Sequence, residues 1–145
     1  MLETISQKIK NDTLWVVYGS TGELLQGNTS VQPNDVDIVT TPEGLKLFSE
    51  RLHKYITDNN RCGANWKGID LCIDRVKVEV IYTFSYPDYT SIVKESSNVV
   101  LVKINGKQIP CLKSDMSLMV RFQKKNAKPG YQEFTISSSG SMKSG

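Results

Sequence analysis

Histidine is almost absent from this sequence and cysteine is sparse: His53 stands alone, and Cys62, Cys72 and Cys111 form no CxxC pair. One histidine argues against a histidine-rich zinc site and against a Ser-His-Asp triad centred elsewhere. His53 falls inside an amphipathic helical pattern and reads as a helix-surface residue. An odd number of cysteines without paired spacing supplies no disulfide framework. No apolar run approaches the roughly 18 residues a membrane-spanning helix needs, and the first residues form no signal-like segment. These absences describe a reduced, cytoplasmic chain with no membrane partner. A large charge of one sign is also lacking: 18 Lys and Arg stand against 15 Asp and Glu, a net charge of +3, with a pI near 8.7. That excess suits an anionic ligand such as a nucleotide, but falls well short of the footprint of a dedicated DNA binder. Most of it lies late, at Lys103, Lys107, Lys113, Arg121, Lys124, Lys125 and Lys128, where a solvated surface accounts for it.

What is present fits one domain: 145 residues, 39% hydrophobic and 23% charged, enough for a core and no more than one. Leu2, Ile5 and Ile9 recur at helical spacing and predict a helix over residues 2–11. The run LWVVY at 14–18 is apolar throughout and ends at Gly19, as a buried strand would. A short helix then runs through Leu24 and Leu25 to Gly27, and residues 28–34 are turn chemistry. DVDIVT at 35–40 alternates acid and aliphatic residues, a strand signal. Thr41 followed by Pro42 opens a helix whose apolar face, Leu45, Phe48, Leu52, Tyr55 and Ile56, extends to about residue 57. Residues 58–68 read as a loop, 69–74 and 76–84 as two strands, and 85–97 as irregular with one helical turn. NVVLVKI and KQIPCL flank Asn105-Gly106 as a hairpin, and Ser114 caps a last helix carrying Leu118, Met119 and Phe122. The expected fold is α+β: a mixed sheet with helices packed mainly on one side. Its domain covers residues 1–125, and 126–145, rich in serine and glycine towards its end, is an extended or disordered tail.

The chemistry gathers around three acids. Strand side chains alternate faces, so Asp35 and Asp37 project together while Val36 and Ile38 turn inward. Two carboxylates whose Cα atoms lie roughly 6.6 Å apart along a strand can converge on hard divalent cations. Glu79 interrupts the apolar VKVEVIY strand on the face opposite Val76, Val78 and Val80, and a neighbouring strand would add it as a third carboxylate. Asp70 is the next candidate for that third place. Gly19-Ser20 supplies a complementary half: a sharp turn into a helix start whose N–H groups suit phosphate. Each part also has a plainer reading. Ser20 and Glu23 fit a capping box, Asp-x-Asp suits a solvated strand face, and Glu79 could pair with Lys77.

Taken in order, WVVYGSTGELLQG, NDVDIVT and VKVEVIY resemble the nucleotidyltransferase superfamily that includes DNA polymerase beta, in its minimal form. INGKQIPCLKSDMSLMVRFQ extends the likeness, which covers roughly residues 12–125. The resemblance implies Mg²⁺-dependent transfer of a nucleoside monophosphate from an NTP, with ATP the expected donor, to an acceptor hydroxyl. It places two metal ions at Asp35, Asp37 and Glu79, gives the three acids the catalytic roles, and assigns nucleotide binding to Gly19 and Ser20. The acceptor would be a small molecule or a protein. No helical domain follows the match, so a homodimer or a partner chain would complete the acceptor surface. A catalytically inactive nucleotide-binding or protein-interaction module on the same fold is the alternative, although buried carboxylates are costly to keep without a use. A nucleic-acid-binding protein using its late lysines is a third.

Overall fold

The computed structural model describes residues 1–27 and 35–114. They form α1 (Leu2–Ile9), β1 (Trp15–Tyr18), α2 (Gly19–Leu25), β2 (Val36–Thr40), α3 (Pro42–Arg51), β3 (Ile56–Cys62), β4 (Trp66–Ile73), β5 (Val76–Thr83), α4 (Tyr89–Lys94), β6 (Val99–Ile104) and β7 (Lys107–Leu112). The turn segment at 28–34, the last helix expected from Ser114 and the tail at 126–145 lie outside the described residues.

Seven strands make one mixed sheet in the order β3-β4-β5-β2-β1-β7-β6. β2 runs parallel to β5 and β1 parallel to β7; the other neighbours are antiparallel. One face is the main core. Trp15 and Val17 of β1, Val36 and Ile38 of β2, Ile69 and Leu71 of β4, and Val78 and Val80 of β5 meet Ile5 and Ile9 of α1 and Phe48 of α3 there. The apolar spacing of α1 explains its docking, since Leu2, Ile5 and Ile9 are all buried. Thr41 starts α3 as expected, accepting from the Gly44 N–H at 3.0 Å with proline in the first turn. The opposite face carries the smaller cluster of Val16, Val39 and Leu112 under Tyr89 and Val93 of α4. A threonine network docks α4: the Thr90 hydroxyl donates to the Thr40 carbonyl at 2.8 Å, and the Thr90 N–H donates to the Thr83 hydroxyl at 2.9 Å. The two longest helices thus share one side, and α4 holds part of the other.

Three boundaries differ from the sequence expectation. The helix after Pro42 ends at Arg51, and a 3-10 turn, His53–Tyr55, leads straight into β3 where a helix end and a loop were expected. β3 is an edge strand of mostly exposed polar residues, ITDNNRC, held by main-chain pairing with β4 and interrupted by register shifts. It has no buried face, so no alternation marks it. β4 begins at Trp66, three residues before the expected start, because it pairs with the whole length of β5. The irregular stretch at 85–97 contains α4, opened by Asp88 accepting from the Ser91 N–H. The hairpin turn is as expected, with Asn105 and Gly106 both at positive φ. Among the described residues no helix is long and apolar enough to cross a membrane.

Candidate active site

β1 delivers the chain directly into α2. Tyr18 is extended, Gly19 follows at φ +74°, and α2 begins at once. That φ lies in the left-handed region, which only glycine enters freely. A methyl group at Gly19 would also stand 3.2 Å from the Asp37 Oδ2, so the turn is packed against a carboxylate of the next strand. The Thr21 hydroxyl donates to the Asp35 carbonyl at 3.1 Å, fastening the start of α2 to the start of β2. Ser20 is half-buried in the first turn of α2.

The capping-box reading of Ser20 and Glu23 is not what forms. The helix starts two residues earlier, with Tyr18 at its N-cap and no side-chain cap bond, and Glu23 is buried at 1% exposure. The left-handed Gly19 moves the helix start forward and takes Ser20 out of the cap position.

Register brings the acids together. Tyr18 lies opposite Asp37 in the β1–β2 pair, and Asp37 lies opposite Glu79 in the β2–β5 pair. Asp35, two residues before Asp37, projects from the same face. Asp35, Asp37 and Glu79 each offer a carboxylate oxygen, and these oxygens lie within 4.8 Å of one another. All three residues are half-exposed, open to solvent yet seated on a sheet.

Like charges at that spacing work against one another. Glu79 is pushed above its ordinary carboxylate range, first by burial and then by a hydrogen bond and repulsion from Asp35; Lys77, 3.4 Å away, offsets part of this. The pairing with Lys77 considered from sequence is therefore present, but it does not cancel the effect of Asp35. The Tyr18 phenol is raised well above its usual value by burial, with Asp37, Tyr89 and Glu79 adding to it. Tyr18 packs against Tyr89 of α4, ring centres 5.1 Å apart, and forms a neutral wall beside the acids.

Asp70, the runner-up for the third acid, sits opposite Glu79 in the β4–β5 pair. It is bound instead to Arg61, whose Nη1 lies 2.5 Å from its Oδ2. Arg61 was hidden from sequence reasoning because it belongs to the stretch read as a loop. Of the other sequence-predicted positions, Gly19 and Ser20 follow the end of β1, Asp35 and Asp37 stand at the start of β2, and Glu79 lies mid-way along β5.

No protein-family model matches the chain, and no curated protein matches it in sequence. Among solved structures, a Thermotoga maritima protein described as a candidate nucleotidyltransferase superposes on it with a TM-score of 0.70 and 25% identity, over 85% of this chain and 81% of that one. The chain thus has a nucleotidyltransferase-like α+β fold, and its three-carboxylate group fits the Gly-Ser, Asp-x-Asp and Glu pattern that the sequence resembles.

Proposed function

We propose that this chain is a Mg²⁺-dependent nucleotidyltransferase that moves a nucleoside monophosphate from an NTP, with ATP the expected donor, to an acceptor hydroxyl. The observation that carries this reading is the convergence of Asp35, Asp37 and Glu79 within 4.8 Å on an open sheet face, with Gly19 packed against Asp37.

The donor set fits a hard divalent cation. All three side chains offer oxygen, they are reachable from solvent, and Glu79 is pushed above its ordinary range by burial and then by Asp35. Asp35, Asp37 and Glu79 would hold one or two Mg²⁺ ions, which when bound neutralise charge on the entering and leaving oxygens. Gly19 and Ser20, at the start of α2, would take the triphosphate against main-chain N–H groups. The acceptor oxygen then forms a bond to the α-phosphorus while the α–β anhydride bond breaks, and pyrophosphate leaves with that electron pair. Glu79, whose carboxyl is pushed above its ordinary range chiefly by burial, would receive the hydroxyl proton and pass it to water. Tyr18 excludes water from one side of the carboxylates. A small molecule or a protein is the acceptor class this reading favours, with a second copy or a partner chain completing the surface around it. The three free thiols suit a reducing cytoplasm.

Calorimetric titration with Mg²⁺ and each NTP is expected to show metal-dependent binding that the double change Asp35→Ala and Asp37→Ala removes. Binding indifferent to that change sinks the site assignment. Labelled ATP offered with a panel of hydroxyl acceptors is expected to yield an AMP adduct and pyrophosphate. Binding without any adduct would mark a nucleotide-binding module instead.

A further inference from the structure

The row of side chains that carries Glu79 continues onto β4. Asp70 stands directly opposite Glu79 in an antiparallel pair, so the two project from the same face, and opposite Cβ atoms in such a pair lie about 4.5–5.5 Å apart. A fourth carboxylate therefore stands beside Glu79, one strand farther from Asp35 and Asp37. Yet the group whose oxygens lie within 4.8 Å consists of Asp35, Asp37 and Glu79, without Asp70.

Arg61 accounts for the difference. It reaches across from the edge strand β3 and donates to the Asp70 Oδ2 at 2.5 Å, so that carboxylate is already engaged from the side away from Asp35 and Asp37. The guanidinium is also fixed from a second side, 5.6 Å from the centre of the Trp66 ring. Gly68, opposite Arg61 in the β3–β4 register, places no side chain between them. A Cβ there would meet the Val80 carbonyl oxygen at 2.5 Å. Asp70 is 8% exposed, and a carboxylate so buried requires a counter-charge. Without Arg61, the compensation left on that face would be Lys77, already 3.4 Å from Glu79, or a cation held by Glu79 and its partners.

We propose that Arg61 is a positioning residue that withholds Asp70 from the metal-binding group and so fixes the number of carboxylate ligands at three. The inference rests on the reading of Asp35, Asp37 and Glu79 as metal ligands. A fourth anionic ligand would occupy a coordination position that substrate phosphate or water needs, since Mg²⁺ sites use few carboxylates and keep the remaining positions for those oxygens. Tighter metal binding would then accompany slower turnover.

The test is Mn²⁺ binding to the full chain without nucleotide, followed by calorimetry and by the Mn²⁺ electron paramagnetic resonance signal. Arg61→Ala is expected to bind Mn²⁺ about tenfold more tightly than the unaltered chain, because affinity rises with the number of charged ligands. Arg61→Ala combined with Asp70→Asn is expected to return to the unaltered affinity, and Arg61→Lys to stay near it. Arg61→Gln, which keeps the stem and drops the charge, repeats the measurement should the alanine variant unfold. Loss of a merely structural ion pair would weaken metal binding, so unchanged or weaker affinity in Arg61→Ala and Arg61→Gln overturns the proposal. Tight binding that persists in the double variant overturns it too. Failure of the metal-site reading is separately visible: the unaltered chain then binds no Mn²⁺, or binds it as well after Asp35→Ala and Asp37→Ala, and the inference falls with that reading.

Discussion

Gly19→Ala separates the two things Gly19 does. The backbone there is at φ +74°, where an L-residue costs about 1–2 kcal/mol relative to the right-handed region. For a domain of this size a loss of that order lowers Tm by about 3–8 °C. The added methyl group also meets the Asp37 Oδ2 at 3.2 Å, so the carboxylate must give by a few tenths of an ångström. It gives away from the position in which Asp35, Asp37 and Glu79 converge, so metal affinity is expected to fall together with stability. Gly106→Ala is the matched control: φ is +81° in the β6–β7 turn, with nothing within 4 Å of an added Cβ. It should lose comparable stability and keep its affinity for Mn²⁺. Urea unfolding and Mn²⁺ calorimetry on both variants decide the matter. A Gly19→Ala chain as stable as the unaltered one refutes the strained-turn argument. If it binds Mn²⁺ no worse than Gly106→Ala does, the coupling of the turn to Asp37 is wrong.

Two further outcomes follow from the titrating groups. Glu79 holds its proton above the ordinary value of 4.5, so the native state binds more protons than the unfolded one and stability falls as pH rises from 4.5 through the folded-state value. Glu79→Gln should therefore raise the Tm of the metal-free protein at pH 7, with the gain fading below pH 4.5, and should abolish adduct formation; a lower Tm at pH 7 would contradict the repulsion from Asp35. Cys62 and Cys72 are exposed, whereas burial pushes the Cys111 thiol up to about 12, so a thiol reagent should modify two cysteines in the native protein and three in denaturant. Because the unfolded thiol ionises near 9.0, stability should also decline as pH rises from there towards 12; native labelling of all three at one rate would refute the buried placement.

How legible the structure is in the sequence depends on what each element buries. β1, β2 and β5 carry side chains into the core on at least one face, so LWVVY, DVDIVT and VKVEVIY show it as an unbroken apolar run or as alternation. The acids on the other face of β2 and β5 stand out for the same reason. α3 announces its start through Thr41 and Pro42, which satisfy the helix end locally. β3 buries almost nothing and exists because β4 offers it an edge, which is a tertiary fact with no local trace. Ser20 and Glu23 failed as a cap because the register of a helix start depends on one left-handed residue, and the motif spacing does not encode which residue that is.

The same contrast explains why net charge points to the ligand class only indirectly. The chain as a whole carries +3, yet the face around Glu79 presents Asp35, Asp37, Glu79 and Asp70 against Lys77 and Arg61, and Arg61 is committed to Asp70. Among the described residues, a triphosphate approaching that face would meet net negative charge, and nearby charges on a partly desolvated surface are poorly screened by salt. In the proposed reading, a divalent cation is therefore an integral part of a nucleotide site at these residues. Metal and nucleotide must then enhance each other's affinity by the same factor.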